Sequence, residues 1–157
     1  IRNKPVKFGI KVFALCDSNS SYLCNFKIYT GRAEAGQADV GLAHRTVVEL
    51  LEPYWHQGYH VFTDNFYSSP ELYNNLSDNY NTRACGTCQV NRRGISRSFK
   101  NSKEFQRRAN RSDMRYVREG SLIQLQWMDK RCVTMISNIH SATEFVNENR
   151  TIKQHGQ

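Results

Sequence analysis

At 157 residues, 39% hydrophobic and 11% aromatic, the chain has the size of one domain and enough apolar material for a core, which excludes a disordered tail. No apolar run is long enough to span a bilayer, and Ile1-Arg2-Asn3-Lys4 lacks the features of a secretory signal, so the expectation is a soluble intracellular protein with no membrane partner. The net charge of +8 is confined to one segment: Arg83 to Arg118 holds eleven basic residues against Glu104 and Asp113, a balance of +9 that leaves −1 for the rest.

In chain order, the first predicted element is a strand from Lys7 to Cys16, where Phe8, Ile10, Val12, Ala14 and Cys16 alternate with polar residues before Phe13 and Leu15 make both faces apolar. Asp17-Ser18-Asn19-Ser20 is turn chemistry, and Tyr22 to Tyr29 is rich in β-formers, so the two strands are expected to pair as a hairpin. Because it opens on a strand-like segment without a methionine, the chain reads as cut from something longer. Thr30 to Gly41 reads as a loop. Ala43, Val47, Leu50, Leu51 and Tyr54 recur on one face of a helix that Pro53 closes.

Tyr59 to Thr63 is a short strand delivering Asp64 at its C-terminal end. Ser69-Pro70-Glu71 then starts a helix, with a serine cap, a proline suited to the first turn and an early acid, and Asp78-Asn79 is expected to end it soon after Leu76. Thr82 to Val90 is a strand leading into the basic segment. Met114–Arg118, Leu122–Met128 and Cys132–Ile136 form three strands of an antiparallel meander. The face carrying Ile123, Leu125 and Trp127 is expected to be the core side. This order implies a mixed α/β sheet with right-handed crossovers, in which ligands gather at the carboxyl ends of strands.

Two features leave alternatives open at this level. Cys85-Gly86-Thr87-Cys88 has the spacing of half a zinc site without a second ligand pair, or is two small buried strand residues. The basic segment is the footprint of phosphate-backbone binding, or a solvated loop. Asp64, taken by its position alone, is more often a turn or capping residue than a catalytic one.

Three motifs in order change the weighing. Asn3-Lys4-Pro5-Val6-Lys7-Phe8-Gly9-Ile10-Lys11 with Cys16-Asp17, then Asp64-Asn65-Phe66-Tyr67-Ser68-Ser69, then Cys85-Gly86-Thr87 through Asn91-Arg92-Arg93-Gly94, resemble the corresponding stretches of piggyBac transposases and piggyBac-derived proteins over roughly residues 3–140. The resemblance implies a ribonuclease H-like fold in which three carboxylates hold two divalent metals, Mg²⁺ in the intact family, for in-line attack on DNA phosphodiesters. Asp64 matches the family's second catalytic, metal-ligating aspartate, and Asp17 matches a hairpin residue. The family's first aspartate lies upstream of the Asn-Lys-Pro stretch, and its third lies in a Gly-Gly-Val-Asp motif that has no counterpart between Asn138 and Gln157. The expectation is therefore an incomplete ribonuclease H-like core at 1–90, a basic β-rich insertion domain at 91–140, and a poorly ordered tail at 141–157. Such a chain is not expected to bind Mg²⁺ tightly or to be active alone. DNA is the implied partner, with Arg92, Arg93, Arg97, Arg107 and Arg108 as the candidate contacts and the nucleus as the place of action. A domesticated, non-catalytic DNA-binding module is the alternative, and a nuclease on the same fold would need carboxylates this chain lacks.

Overall fold

The alternating segment and its partner form the hairpin: β1 (Val12–Cys16) pairs antiparallel with β2 (Leu23–Ile28), Val12 opposite Ile28 and Ala14 opposite Phe26. These and the following features come from a computed structural model that describes residues 9–31 and 41–141. Residues 3–8 of the first motif, most of the loop expected at 30–41, and the tail from residue 142 lie outside the described residues. Asp17 belongs to the hairpin turn, where its carboxylate accepts from Ser20 N at 2.8 Å and from the Ser20 hydroxyl, which holds its pKa below the usual value.

Helix α1 (Leu42–Leu50) buries Thr46, Val47 and Leu50, and a 3-10 turn carrying Pro53 follows it at Glu52–Tyr54. The helix holds the hairpin by two polar contacts, Asn25 Nδ2 to Leu50 O at 2.9 Å and an ion pair between Lys27 and Glu49. Strand β3 (His60–Thr63) leads into α2 (Pro70–Tyr80) and then β4 (Arg83–Thr87), which runs parallel to β3. Ser69 caps α2 as its sequence requires, its hydroxyl accepting from Leu72 N at 3.1 Å. The helix does not stop near Leu76. Asn79 bonds back to Asn75 Oδ1 at 2.6 Å, Tyr80 packs on Trp55 with ring centroids 4.6 Å apart, and the left-handed Asn81 (φ 47°) ends it.

Residues 91–140 hold the three expected strands and, ahead of them, two short helices that pattern reading did not anticipate. Strand β4 stops at Thr87, and α3 (Arg97–Lys100) and α4 (Ser102–Arg108) carry much of the charge. Helix α3 and the loop before it are docked by side chains that pattern reading assigns to the surface. Gln124 accepts from Ser96 N at 2.7 Å and donates to Gly94 O at 2.9 Å; Gln126 donates to Phe99 O and Thr134 Oγ1, both at 3.1 Å. Both glutamines are wholly buried, and these bonds offset the cost of removing their amides from water.

The meander is β5 (Met114–Glu119), β6 (Leu122–Met128) and β7 (Cys132–Ser137), and β7 pairs antiparallel with β4. The result is a five-stranded mixed sheet in the order β3-β4-β7-β6-β5, with the hairpin as a separate two-stranded sheet. The boundary expected at residues 90 and 91 thus lies inside one hydrogen-bonded sheet and one apolar cluster that joins Val47, Val61 and Leu72 to Phe99, Leu122 and Ile136. On β6 the expected face is buried at Ile123 but only half-buried at Leu125 and Trp127, and the opposite face, Leu122, Gln124 and Gln126, is wholly buried because the basic segment covers it. Strands β1 and β3 are both sheet edges, and a groove of about 550 Å³ lined by both strands separates them. No helix among the described residues is long and apolar enough to cross a membrane.

Candidate functional site

Strand β3 presents Asp64 at its carboxyl end, on a turn held from several sides. The Asp64 carbonyl accepts from Tyr67 N at 3.2 Å, Ser68 N at 3.1 Å and Ser68 Oγ at 2.8 Å, while Phe66 N donates to Asp64 Oδ1 at 2.9 Å. The carboxylate itself is exposed, and among the described residues no other hydrogen bond reaches it. It borders a cleft of about 230 Å³ that also touches β1 and α1. Burial, with Asp64's charge as the smaller cause, raises the neighbouring Tyr67 phenol.

Beneath the turn three hydroxyls form a closed set: Thr63 Oγ1 lies 2.7 Å from both Ser68 Oγ and Tyr73 OH, and the last two are 3.1 Å apart. Burial pushes the Tyr73 phenol up to about 12, so it stays neutral and always supplies a proton to the set. Gly86 sits opposite Thr63 in the parallel register, and a Cβ there would lie 2.0 Å from Thr63 O, 2.8 Å from Tyr73 OH and 2.9 Å from Ser68 Oγ. A glycine inside a strand signals such close approach, and this was the sequence feature that could have marked the position.

Arg92 is part of this site. Its Nη2 donates to Phe66 O at 2.6 Å and more weakly to Asn65 O at 3.4 Å, and its Nε is buried without a partner. Expected as a DNA contact, the guanidinium instead clamps the carbonyls of the Asp64 turn from 26 residues away. Nothing in the Arg-Arg pair distinguishes the inward side chain from its exposed neighbour Arg93. From the opposite side, Phe13 of the hairpin stacks on Phe66 at 6.5 Å, and Lys11 Nζ lies 4.7 to 5.2 Å from the ring centroids of Phe13, Tyr29 and Phe66. Replacing Arg92 by alanine is expected to cost about 2 kcal/mol, the scale of hydrogen bonds from a charged donor. It should also shift the backbone amide resonances from Asn65 to Tyr67, whereas Arg93→Ala should leave urea stability and those resonances nearly unchanged.

The remaining predicted contacts are distributed. Arg93 shares a cleft with Glu71 and Glu119. Arg97 and Arg107 are exposed on α3 and α4, and Arg108 makes a solvent-facing ion pair with Glu104 at 3.2 Å. Arg111 pairs with Asp129 at 2.9 Å, and Arg115 is turned inward over the rings of Phe105 and Phe99, bonded to Gln126 Oε1 at 2.8 Å. Among the described residues, Arg97, Lys100, Lys103 and Arg107 are exposed with no ion pair. The site's two thiols are buried: Cys88 donates to Ser68 O at 3.4 Å, and burial pushes it up to about 11 and raises Cys85.

The family described as Transposase IS4 matches residues 1–157, and the chain belongs to it. Within that family the chain is a piggyBac-type domain. It is similar to a solved piggyBac transposase, described as a synaptic complex with hairpin DNA, at a TM-score of 0.81 and 30% identity, covering 94% of this chain and 30% of that one. The chain thus spans about a third of that transposase's length. Transposases of this family imply a divalent cation, but the described residues do not fit one: no group of three or more His, Cys, Asp or Glu among them could hold a metal ion, and Asp64 brings a single carboxylate.

Proposed function

We propose that this domain carries part of the DNA cleavage and joining machinery of a piggyBac-type transposase, on an incomplete ribonuclease H-like sheet. In this reading Asp64 is one of the metal-ligating aspartates, and residues 91–140 face DNA. The observation that carries it is the Asp64 turn, whose carboxylate is exposed with a single bond from Phe66 N while its carbonyls are held by Ser68 and Arg92 and its Phe66 ring stacks on Phe13. Rigid support around a free acidic group is what positioning a catalytic ligand demands. One carboxylate does not hold a metal pair, so the described residues alone supply DNA binding rather than strand cleavage. The relative's DNA complex supports DNA as partner here, and a nuclear location is part of the same proposal.

The unpaired cations of α3 and α4 favour a second reading, a non-catalytic DNA-binding module, because phosphate contacts by them need no metal-ligating carboxylate. Both readings require the same DNA surface. Combining Arg97→Gln, Lys100→Gln, Lys103→Gln and Arg107→Gln should remove most affinity for a short duplex and reduce the slope of log K against log salt by up to about 3.6, since each lost phosphate contact is worth about 0.9. An unchanged salt slope in this variant would return the helices to the status of a solvated face.

A further inference from the structure

A second cationic cleft, of about 330 Å³, lies at the end of the sheet away from Asp64. Its walls come from four strand ends and a helix: Arg83 opens β4, Arg118 lies near the end of β5, Ser121 precedes β6, His140 follows β7, and Ser77 comes from α2. No carboxylate is among its lining residues. Two guanidinium groups brought together without a counter-charge repel each other, and an anion between them removes that repulsion.

The cleft's polar side chains differ in how far bonds within the protein occupy them. Arg118 is steadied by its Nε bond to Gly120 O at 3.0 Å, which leaves the outer edge of the guanidinium for a ligand. Arg83 is exposed and makes no side-chain hydrogen bond among the described residues. Ser137 Oγ accepts from Ile139 N at 3.1 Å and His140 N at 3.2 Å and is hydrogen-bonded to His140 Nδ1 at 2.9 Å. With Nδ1 occupied by Ser137, Nε2 is the ring nitrogen left to face a ligand. Asn138 fixes the floor, accepting from Ala84 N at 2.7 Å and donating to Tyr73 O at 3.0 Å, and is thereby occupied.

We propose that this cleft is a phosphate-binding subsite that takes one backbone phosphate of DNA, distinct from the contacts of α3 and α4. The choice of a DNA phosphate rests on the reading of the domain as DNA-binding. Arg83 lies opposite His60 in the parallel register, four residues before Asp64, which sets the cleft about 13 Å from Asp64 along the strand at roughly 3.3 Å per residue. That is about four base-pair rises of a duplex, so one DNA molecule can reach both places.

The test follows the Arg side-chain N–H and His140 ring resonances while inorganic phosphate, and then a short DNA duplex, is added to the full chain. Saturable phosphate shifts at Arg83, Arg118 and His140, their displacement by duplex, and a salt slope lowered by about one in Arg83→Gln and in Arg118→Gln are the expected result. Arg118→Lys should recover charge but not the full phosphate shift, because an ammonium lacks the planar fork. Phosphate shifts that duplex does not displace overturn the DNA assignment, and shifts absent from the cleft overturn the subsite altogether. The α3–α4 variant should keep the phosphate response. If it alone loses duplex while the cleft variants bind as wild type, the subsite fails and the DNA-binding reading stands; if wild type binds no duplex at all, that reading fails, while the phosphate titration still judges the cleft.

Discussion

Gly86→Ala is expected to destabilise the domain by about 3 kcal/mol, at the upper end of the range for overpacking. The added carbon would meet Thr63 O at 2.0 Å, and because that atom is backbone, no rotamer change relieves the clash. Strands β3 and β4 would have to separate where Thr63 pairs with Gly86, and the Thr63, Ser68 and Tyr73 hydroxyl set would open with them. The Asp64 turn, which hangs on Ser68, would move too. Gly120→Ala makes the comparison: its φ of +59° strains an alanine, but nothing lies within 4 Å of the new carbon. Its cost should be about 1 kcal/mol. Urea denaturation of the two variants measures the difference, and a Gly86→Ala protein within about 0.5 kcal/mol of wild type would show that the strand contact is loose.

Supplying the two carboxylates that the piggyBac resemblance places outside residues 1–157 should produce the largest functional change. A chimera carrying the upstream aspartate strand and the downstream Gly-Gly-Val-Asp segment of an intact relative is expected to nick transposon-end DNA in the presence of Mg²⁺, because the ligands then converge on one edge. Asp64→Asn should reduce that nicking to background: the amide keeps the shape but loses the charge. In the chain by itself the same change should shift stability by less than about 0.5 kcal/mol, since the asparagine carbonyl can still accept from Phe66 N, now 2.9 Å from Asp64 Oδ1. Calorimetry on the unmodified chain should find no submillimolar Mg²⁺ binding that depends on Asp64. A chimera that nicks equally well after Asp64→Asn would sink the assignment of Asp64, and a bare chain that unfolds on it would make Asp64 a structural cap.

Local pattern was enough for the elements whose cause is local. The hairpin strands follow from alternation, α2 begins where Ser69 and Pro70 require it, and Asp64 falls at a strand end because β3 is short and bounded by turn chemistry. The concentration of charge between Arg83 and Arg118 is equally a property of the residues themselves.

Tertiary structure decided what those charges do. Arg92 and Arg115 are indistinguishable from their neighbours in a count, yet one holds carbonyls 26 residues back and the other lies over Phe105 and bonds Gln126. Gln124 and Gln126 read as surface until the backbone of the basic segment supplies their partners, and only then does their face of β6 become the core side. The pairing of β7 with β4, which carries the sheet across the expected boundary, joins segments about fifty residues apart. Periodicity reports which residues share a face. Whether that face is covered, and whether a buried polar group finds its bond, depends on chain segments far away in sequence, which only the folded arrangement brings into contact.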